Sequence, residues 1–596
     1  MTHFKKLLLL ALAGFTFSTY AQDANVRISW DYNSYLEQTS VNVVNKNYTE
    51  TECFYPRIKQ LNDGSLLMVF MNHRVGFDIF IRKSYDNGAT WSDATMVRQR
   101  LKEASPTTPD DEKIFATPDF YQLANGRILL AYQWRYAAGY NDTVHTNESC
   151  GIELMTSDNN GLTFSEPREI YQGRCWEPYF LELPSGEIHL YITDSSEVRW
   201  KRSQACVALF RSFDNGKTWQ NKKTATYKDG EALSRTIEER GKFDGMPAAQ
   251  QLINDQGIAM AIETWSAVCQ HDITPYIIYS PKNENWKYKN DEIRAQGGPE
   301  KERKKQLHKD FRGFGPYMEK LPTGEILVQT NGTYKKQPGM WLFIGDSKGD
   351  NFGYASTPYE GYWGSIAHLN NNEVMSAGTY TYQRDGKDHD GIRMMKGKLH
   401  YAKKIKKGEL KLQKLQFFDN QINNDWFIGQ ETASSAYLNF GYSNRSFDFT
   451  TYLFDKNLIA FQALNSDAID FLFYRKNTKT GKSETYRLAV NAKGVFSLFK
   501  EQTNSWVPQD ASDVKDIVVD LNGTINNDKD EDLGFAAKVS VPWNLIGGLP
   551  TKNEQFRVHL RHSYKDNTKE YPFASLESIA GENSDIPETW LSISFE

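Results

Sequence analysis

The sequence predicts an all-β protein in which a six-bladed β-propeller is followed by a β-sandwich domain. Two observations predict this fold class. A strand–turn–strand hairpin recurs six times before residue 410, and a different strand pattern replaces it after about residue 417. The 596 residues are enough for two domains that each bury a core of their own.

The hairpin has the same pattern in each copy: a strand, a tight turn, and a second apolar strand. The copies lie at residues 55–70, 117–132, 176–192, 245–263, 313–330 and 361–378. Five of them have glycine in the turn, namely Gly64, Gly126, Gly186, Gly257 and Gly324. Their spacing of about 50 to 70 residues is typical of four-stranded propeller blades. We therefore expect six blades over about residues 40–415, with YAKKIKKGELKLQKL (401–415) as the last outer strand; five or seven blades is the alternative.

A second motif lies between the hairpins. SYDNGATW (84–91) and SFDNGKTW (212–219) share one pattern, and SDNNGLTF (157–164) has Asn159 at the aspartate position. Asp, Asn and Gly suit a tight turn in which the side chain bonds nearby backbone. The pattern resembles the Asp-box of sialidase-type propellers. That resemblance implies a structural motif at the blade periphery, so we expect no catalytic role for it.

Residues 418–596 contain neither motif and instead alternate between strands and turns, which predicts a β-sandwich. GFAAKVSVPWNLIGG (534–548) and PETWLSISF (587–595) resemble family 9 carbohydrate-binding modules. The resemblance implies a domain that binds glycan. The alternative is a sandwich that only supports the propeller.

The N-terminus has the features of an export signal. Lys5 and Lys6 precede an apolar run from 7 to 17, and Thr19-Tyr20-Ala21 is a small-x-small cleavage site. We expect residues 1–21 to be a signal peptide cleaved near Ala21, which leaves a secreted or periplasmic protein. No later stretch approaches the ~18 apolar residues of a membrane span.

Composition excludes several classes of function. The net charge of −5, from 70 Lys and Arg against 75 Asp and Glu, predicts no nucleic-acid surface. The five cysteines lack C-x-x-C spacing, which argues against a zinc or redox site, and their odd number leaves at least one thiol without an intramolecular partner. One or two disulfides would fit, and neither their pairing nor the oligomeric state follows from the sequence.

The catalytic candidates come from the innermost strands, which in a propeller face one central pocket. Counting back from the leucine that the hairpins share, Arg57 and Asp119 lie at minus four and Glu177 at minus six, so alternation by two predicts a common face. Glu263 ends the second strand of blade four, where other blades have Phe, Tyr, Ile or Thr. Two carboxylates in one pocket suit glycoside hydrolysis, with one ionised and one protonated. The alternative is that each glutamate only neutralises an arginine.

Further pocket candidates are aromatic or cationic. Trp176 adjoins Glu177, while Arg312, Tyr317 and Tyr362 begin blades five and six, so we expect these four, with Arg57 and Asp119, to bind substrate. His308 and the KDHDG run (387–391) are typical of a solvated loop. No haem, nucleotide or phosphate motif is present, so the sequence predicts no cofactor and no metal.

A family resemblance adds to this interpretation. CWEPYFLELPSGEIHLYITDSS (175–196) with DGMPAAQQLINDQGIAMAIE (244–263) is similar to glycoside hydrolase family 93, the exo-α-L-arabinanases. The resemblance covers roughly residues 50–410. It implies a six-bladed propeller that cuts linear α-1,5-arabinan from its end with retention of configuration. By match, Glu177 and Glu263 are the catalytic glutamates. The sandwich and the loop at 292–311 depart from the family, which leaves the substrate open.

Three other functions stay open. An exo-sialidase is one, because YPRI (55–58) resembles the sialidase R-I-P strand and Asp119 would be its acid. Arg57 and Arg312 would belong to its arginine triad, but no third arginine stands at a matching offset. A non-catalytic glycan-binding propeller and a uronate lyase are the others. For the hydrolase, desolvation of Glu177 by its W-E-P setting favours the acid role, whereas a nearby Arg57 favours the nucleophile. These two effects oppose each other, so the sequence leaves the roles of the two glutamates open; we favour Glu177 as nucleophile and Glu263 as acid/base.

Overall fold

The structure is a computed structural model. It describes residues 26–39, 52–142, 144–196, 205–220, 232–235, 243–265, 273–282, 284–286, 304–408, 426–429, 435–455, 458–460, 466–503, 505–515, 517–527, 529–564, 574–577, 587 and 590–595. The signal peptide expected at 1–21, Cys269 and most of the loop at 292–311 lie outside these residues.

In the described part of residues 26–401, six antiparallel sheets follow one another, and each is one blade. Blade one contains β2 (Phe54–Gln60), β3 (Leu66–Met71), β4 (Ile79–Ser84) and β5 (Thr95–Arg98). Blade two contains β6 (Leu101–Glu103), β7 (Asp111–Gln122), β8 (Ile128–Tyr136), β9 (Cys150–Ser157) and β10 (Arg168–Gln172). Blade three contains β11 (Cys175–Glu182), β12 (Ile188–Asp194), β13 (Cys206–Ser212) and β14 (Ala232–Arg235).

The other three blades repeat this arrangement. Blade four contains β15 (Phe243–Gln251), β16 (Gly257–Trp265), β17 (Ile273–Pro281) and β18 (Lys304–Gln306). Blade five contains β19 (Phe311–Lys320), β20 (Ile326–Tyr334), β21 (Gln337–Gly345) and β22 (Tyr354–Ser356). Blade six contains β23 (Tyr362–Leu369), β24 (Glu373–Arg384), β25 (Lys387–Tyr401) and, from the start of the chain, β1 (Val26–Gln38).

The outer strand of blade six is therefore not the one that the sequence predicted. β1 pairs antiparallel with β25, from Val26 opposite Tyr401 to Gln38 opposite Ile392. Within the 401–415 segment, Lys403–Ile405 form β26, which pairs in parallel with a C-terminal strand of the second domain. The prediction that 401–415 closes the last blade is wrong, since pairing across nearly 400 residues leaves no local signal in the sequence.

The second domain has two sheets. One contains β26, β30 (Ala468–Asn477), β31 (Ser483–Asn491), β32 (Phe496–Gln502), β33 (Ser505–Gln509), β36 (Glu554–Tyr564), β37 (Ala574–Glu577) and β38 (Leu591–Phe595). The other contains β27 (Trp426–Gly429), β28 (Ser435–Tyr442), β29 (Ser446–Phe454), β34 (Ile517–Asn522) and β35 (Gly534–Pro542). Phenylalanines from both sheets meet between them, as the rings of Phe447 and Phe471 do at 5.4 Å. With the six blades, this confirms the predicted fold class.

Short 3-10 turns complete the described secondary structure, at Gly139–Asn141, Ile253–Asp255, Asn370–Asn372 and Trp543–Ile546. None of the helices in the described part of the chain has the length and apolarity needed to cross a membrane. Among the described cysteines (Cys53, Cys150, Cys175 and Cys206) no disulfide is formed, and all four are buried.

The motifs that resemble a carbohydrate-binding module lie in the sandwich core. The GFAAKVSVPWNLIGG segment forms β35 and the turn after it, in which Trp543 is buried and its Nε1–H donates to the Ser443 carbonyl at 2.9 Å. Trp590 of the closing motif is also buried. These residues therefore stabilise the domain rather than present a binding surface.

The SxDxGxTW motifs form one turn geometry three times. Asp86 Oδ1 accepts hydrogen bonds from Thr90 N–H at 2.9 Å and Ser84 Oγ–H at 2.8 Å, and Asp214 does the same with Thr218 and Ser212. In the third copy Asn159 Oδ1 replaces the carboxylate oxygen. These contacts hold the pKa of Asp86 and of Asp214 at about 2, through the Thr90 and Thr218 hydroxyls above all.

A β-bulge interrupts the innermost strand of every blade at the same point. The register of each inner strand against its neighbour shifts by one residue there, as between Phe54 and Arg57 in blade one. One residue in each bulge has positive φ: Tyr55, Thr117, Glu177, Met246, Gly315 and Trp363, with φ of 59°, 46°, 56°, 47°, 68° and 45°. In the first five blades a proline follows it. Proline is tolerated at a bulge because no ladder donor is needed there.

The bulges also join neighbouring blades. At four of them the N–H of the positive-φ residue donates to a side-chain oxygen on the second strand of the preceding blade. The pairs are Tyr55 with Thr379, Met246 with Thr193, Gly315 with Glu263 and Trp363 with Asn331, at 2.8–3.1 Å. We call each of these side-chain oxygens the cap of its bulge. It accepts a hydrogen bond from a backbone N–H that the bulge leaves without a partner in the strand pairing of its own blade.

Candidate active site

The innermost strand of each blade contributes one positive-φ residue at its bulge, and we call these six residues the bulge ring: Tyr55, Thr117, Glu177, Met246, Gly315 and Trp363. A non-glycine residue with positive φ is uncommon, and such strain concentrates at functional sites. The bulge also corrects the expected geometry of the inner strand. In a regular strand, the side chains four and six residues before the shared leucine would point to the same face. Because the bulge inserts one extra residue between these positions, this alternation does not hold there.

Glu177 is the bulge-ring residue of blade three and is half-buried. Its Oε2 accepts hydrogen bonds from Thr193 Oγ1–H at 2.7 Å and from Met246 N–H at 3.3 Å. Its own N–H donates to Thr117 Oγ1 at 3.2 Å. Donors from two other strands thus fix the carboxylate and stabilise its negative charge.

Glu263 lies on β16, the second strand of blade four, and is 9 % exposed. Its Oε2 accepts the N–H of Gly315 at 3.1 Å. It therefore occupies the same inter-blade position as Thr193, Asn331 and Thr379, where a neutral oxygen suffices as acceptor. A carboxylate at this position exceeds what the structural cap requires.

Both glutamates are connected to one short backbone stretch, Gly245–Met246. Met246 N–H donates to Glu177, and the preceding residue, Gly245, is the cross-strand partner of Glu263. Tyr55 lies within electrostatic range of both. Burial raises the pKa of the Tyr55 phenol, the charge on Arg57 lowers it, and the carboxylates of Glu177, Asp119 and Glu263 raise it further.

Arg57, Asp119 and Tyr317 form a buried layer, each of them 2–3 % exposed. The Arg57 guanidinium lies 3.7 Å from the centre of the Tyr55 ring and donates to the carbonyls of Pro56, Trp363 and Gly364. Tyr317 O–H donates to Asp119 Oδ1 at 3.1 Å. Burial raises the pKa of Asp119, against the charges of Lys59 and Arg57. This layer supports the bulge ring, and the predicted direct role of the three residues in substrate binding stays a prediction.

The remaining candidates lie apart from this layer. Trp176 packs edge-to-face on Tyr140, and the Arg174 guanidinium lies 5.3 Å from the Trp176 ring centre. Arg312, at the start of β19, donates to the carbonyls of the nearby residues Lys309 and Phe311.

Tyr362 O–H donates to Asp390 Oδ1 at 2.6 Å, and Arg74 pairs with the same carboxylate at 2.8 Å. The KDHDG run is thus part of β25 rather than a solvated loop, and its Asp390 is buried. His308 packs on the rings of Tyr334 and Phe343, and burial lowers its pKa. Over the residues described, no group of three or more His, Cys, Asp or Glu side chains is placed to hold a metal ion.

Sequence reasoning singled out Trp363, beside Tyr362, as a further pocket candidate, but it missed Tyr55 and Thr193 as neighbours of the glutamates. A signal for Tyr55 exists, since Tyr55 and Trp363 occupy the position of Glu177 in their hairpins. The X-Pro dipeptides at 55–56, 117–118, 177–178, 246–247 and 315–316 mark that position. Thr193 has no comparable signal, because its contact depends on how two blades meet.

Among known proteins, only solved structures resemble this chain, and they do so at low sequence identity. No family model matches the sequence, and no curated protein matches it. A protein of unknown function from Dyadobacter fermentans is 14% identical, with a TM-score of 0.43, over 62% of this chain and 99% of that one. Penicillium chrysogenum α-L-arabinanase complexed with arabinobiose is 18% identical, with a TM-score of 0.41, over 61% and 98%. Trypanosoma rangeli sialidase with the inhibitor DANA is 8% identical, with a TM-score of 0.40, over 94% and 91%. At these values the likeness says nothing about what this chain binds or cleaves.

Proposed function

We propose that the propeller is a retaining, exo-acting glycoside hydrolase that releases short products from the end of an arabinan-type polysaccharide. The observation that carries the proposal is that both glutamates connect to the Gly245–Met246 stretch. Glu177 accepts Met246 N–H, Glu263 is the cross-strand partner of Gly245, and both carboxylates lie within electrostatic range of Tyr55. Retaining glycosidases use two carboxyl groups that flank the scissile bond, one as nucleophile and one as acid/base. The similarity of the Glu177 and Glu263 segments to family 93 supports arabinan as the substrate.

The hydrogen bonds favour Glu177 as nucleophile. Two donors on one carboxylate oxygen stabilise the ionised form, which the nucleophile needs before it attacks the anomeric carbon. Glu263 then protonates the leaving oxygen, and afterwards removes a proton from the water that hydrolyses the glycosyl-enzyme. Tyr55 and Trp363 are the aromatic residues of the bulge ring: Tyr55 lies within electrostatic range of both glutamates, and the Trp363 ring lies beside Gly315, whose N–H donates to Glu263.

The test is the pair Glu177→Gln and Glu263→Gln assayed on linear arabinan, with products separated by chromatography. Both should lower kcat by about 10³-fold or more. Glu182→Gln is the matched control: Glu182 lies on the same strand as Glu177, at the turn end, where its carboxylate accepts Ala124 N–H at 2.8 Å. Near-normal activity in both pocket variants would exclude the two-glutamate mechanism.

Azide separates the two roles. A nucleophile variant should give a glycosyl azide of inverted configuration, and an acid/base variant one of retained configuration. If Glu263→Gln gives the inverted product, the roles are exchanged. Proton NMR of the first product from the wild type reports whether the anomeric configuration is retained.

An exo-sialidase is the second candidate. Tyr55 beside Glu177 favours it, because a sialidase needs a tyrosine nucleophile paired with a glutamate. The two candidate arginines argue against a sialidase, because neither is available to bind a substrate carboxylate. Arg57 is 3 % exposed and donates to three carbonyls, and Arg312 donates to the carbonyls of Lys309 and Phe311. Release of sialic acid from sialyllactose, abolished in Tyr55→Phe, would support this candidate instead.

We further propose that residues 1–21 direct export and that the sandwich is a separable, glycan-binding domain. The pairing of Lys403–Ile405 with the C-terminal strand fixes where to cut, so a chain ending at residue 402 is the matched truncation. It should hydrolyse small substrates like the full chain and bind insoluble polysaccharide more weakly. If the truncated and full-length chains bind insoluble polysaccharide equally well, the sandwich only supports the propeller. N-terminal sequencing of the exported protein tests the signal-peptide cleavage site.

A further inference from the structure

A groove that the proposed mechanism does not use lies between blades five and six. Its volume is about 560 Å³. Thr333 and Pro338 of the β20–β21 hairpin line one side, and Glu360, Tyr362, Thr381 and Arg393 of blade six line the other. We call it the blade 5–6 groove. Its size lies within the range of small-molecule sites, about 300–1,000 Å³.

The groove begins beside the catalytic centre. Tyr362, at its inner end, is followed in sequence by Trp363 of the bulge ring. A Cβ built on Gly315 would come within 2.9 Å of the Trp363 ring, and Gly315 N–H is bonded to Glu263. Contacts thus run from the Glu263 carboxylate through Gly315 and Trp363 to Tyr362, which places the groove at the same end of the propeller.

The groove lining carries little unbalanced charge. Arg393 Nε pairs with Glu37 Oε1 at 3.2 Å, and its guanidinium lies 3.9 Å from the centre of the Tyr380 ring. At the inner end Arg74 is balanced by Asp390 at 2.8 Å. An anionic ligand would therefore find each cation already paired. The Tyr362 and Thr381 hydroxyls already donate to Asp390 Oδ1, so they offer acceptor lone pairs. With the Thr333 hydroxyl, they suit the hydroxyls of an uncharged sugar.

We propose that the blade 5–6 groove binds uncharged sugar units of the substrate at a distance from the bond that is cleaved. This inference rests on the proposed function and adds a second contact region to it. Binding energy gained there increases kcat/KM for long chains, because remote contacts position the reacting unit.

The test blocks the groove from either side. Thr333→Trp and Glu360→Trp place an indole on opposite walls, so one still reports if the other fails to fold. Gln337→Trp is the matched control on the same hairpin. Gln337 pairs with Tyr334, whereas Thr333 pairs with Pro338, and only the latter pair lines the groove. Each substitution is made in the Glu263→Gln background, and calorimetry measures the Kd of arabinobiose and arabinohexaose.

We expect the ratio of the two affinities, hexaose over biose, to fall by about tenfold or more in either blocking variant and to stay constant in Gln337→Trp. An equal ratio in all three proteins overturns the groove while the proposed function stands. If the wild type cleaves no arabinan but the blocking variants still lose hexaose binding, the proposed function fails and the groove is supported. No hexaose binding by the parent overturns both.

Discussion

Thr193 Oγ1–H donates a 2.7 Å hydrogen bond to Glu177 Oε2, and Thr193 Oγ1 accepts the N–H of Met246 at 2.8 Å. One hydroxyl therefore joins the carboxylate of blade three to the bulge of blade four. It fixes the direction of the carboxylate without contributing charge, so its effect on the reaction can be measured separately from that of the glutamate.

Replacing this hydroxyl should slow the reaction. A hydrogen bond to a charged group contributes about 1.5–3 kcal/mol, so Thr193→Val should lower kcat by about 10- to 100-fold on arabinan. Thr264→Val is the control, since Thr264 lies on the second strand of blade four, next to Glu263, and its buried hydroxyl has no hydrogen-bond partner among the described residues. Equal kcat values in the two variants would show that Thr193 does not position Glu177.

The structural and chemical roles of Glu263 can be separated by two substitutions. Glu263→Gln keeps an oxygen for Gly315 N–H, whereas Glu263→Ala leaves this buried donor without its acceptor. We expect Ala to lower the free energy of unfolding by about 1–3 kcal/mol and Gln by much less. Denaturant unfolding of both variants measures the difference. If the two are equally stable, Glu263 is not the cap of this bulge.

Replacing the turn glycines of the repeated hairpins by alanine should destabilise the protein to different extents. Gly64 has φ of +84° and nothing within 4 Å of a built Cβ, so Gly64→Ala should cost about 1 kcal/mol from backbone strain alone. At Gly257 the built Cβ would lie 2.1 Å from the Ser280 carbonyl oxygen. Gly257→Ala should therefore cost clearly more, about 3 kcal/mol or above. Thermal unfolding compares them, and equal costs would contradict the close approach.

Stability should depend on pH through Asp119. Burial raises the pKa of Asp119 in the folded state, so its contribution is fully present below the unfolded value of about 3.9 and is lost as pH rises through the folded value. Asp119→Asn cannot ionise. The stability of the wild type relative to Asp119→Asn should thus fall as pH rises from about 4, and calorimetric unfolding at pH 3–8 measures it. A difference that does not change with pH would mean that Asp119 ionises as easily folded as unfolded.

Deleting residues 26–38 should leave blade six with an open edge at β25. Exposed edges of this kind pair with other chains, so we expect aggregation on size-exclusion chromatography. A chain that begins at residue 26 is the control. A monomeric, active deletion variant would show that the closing strand is dispensable.

The repeated hairpins were predictable from the sequence because glycine turns and apolar strands are local features. The SxDxGxTW turns were predictable for the same reason, since Asp86 and Asp214 bond residues within four positions. The pairing of Val26 with Tyr401 was not, because nothing near either residue specifies the other.

Within the site, the pattern that singled out Glu177 was correct about its position on an inner strand and wrong about the geometry there. Alternation by two assumed a regular strand, whereas the X-Pro dipeptide marks a bulge. Glu263 stood out because other blades have uncharged residues at its offset. Its cap on Gly315 could not be predicted, since it depends on the distance between two blades.

β1, the outer strand of blade six, also determines the order in which the propeller can fold. β1 is the first strand to be synthesised, but its partner β25 is complete only when synthesis has reached Tyr401. β1 therefore has no partner while the other five blades are synthesised. Closing so long a loop costs entropy before any contact rewards it, which makes ring closure a late and slow event. During that interval both β1 and the edge of β25 are unpaired, and this is when the chain is most exposed to misassembly with a second copy of itself.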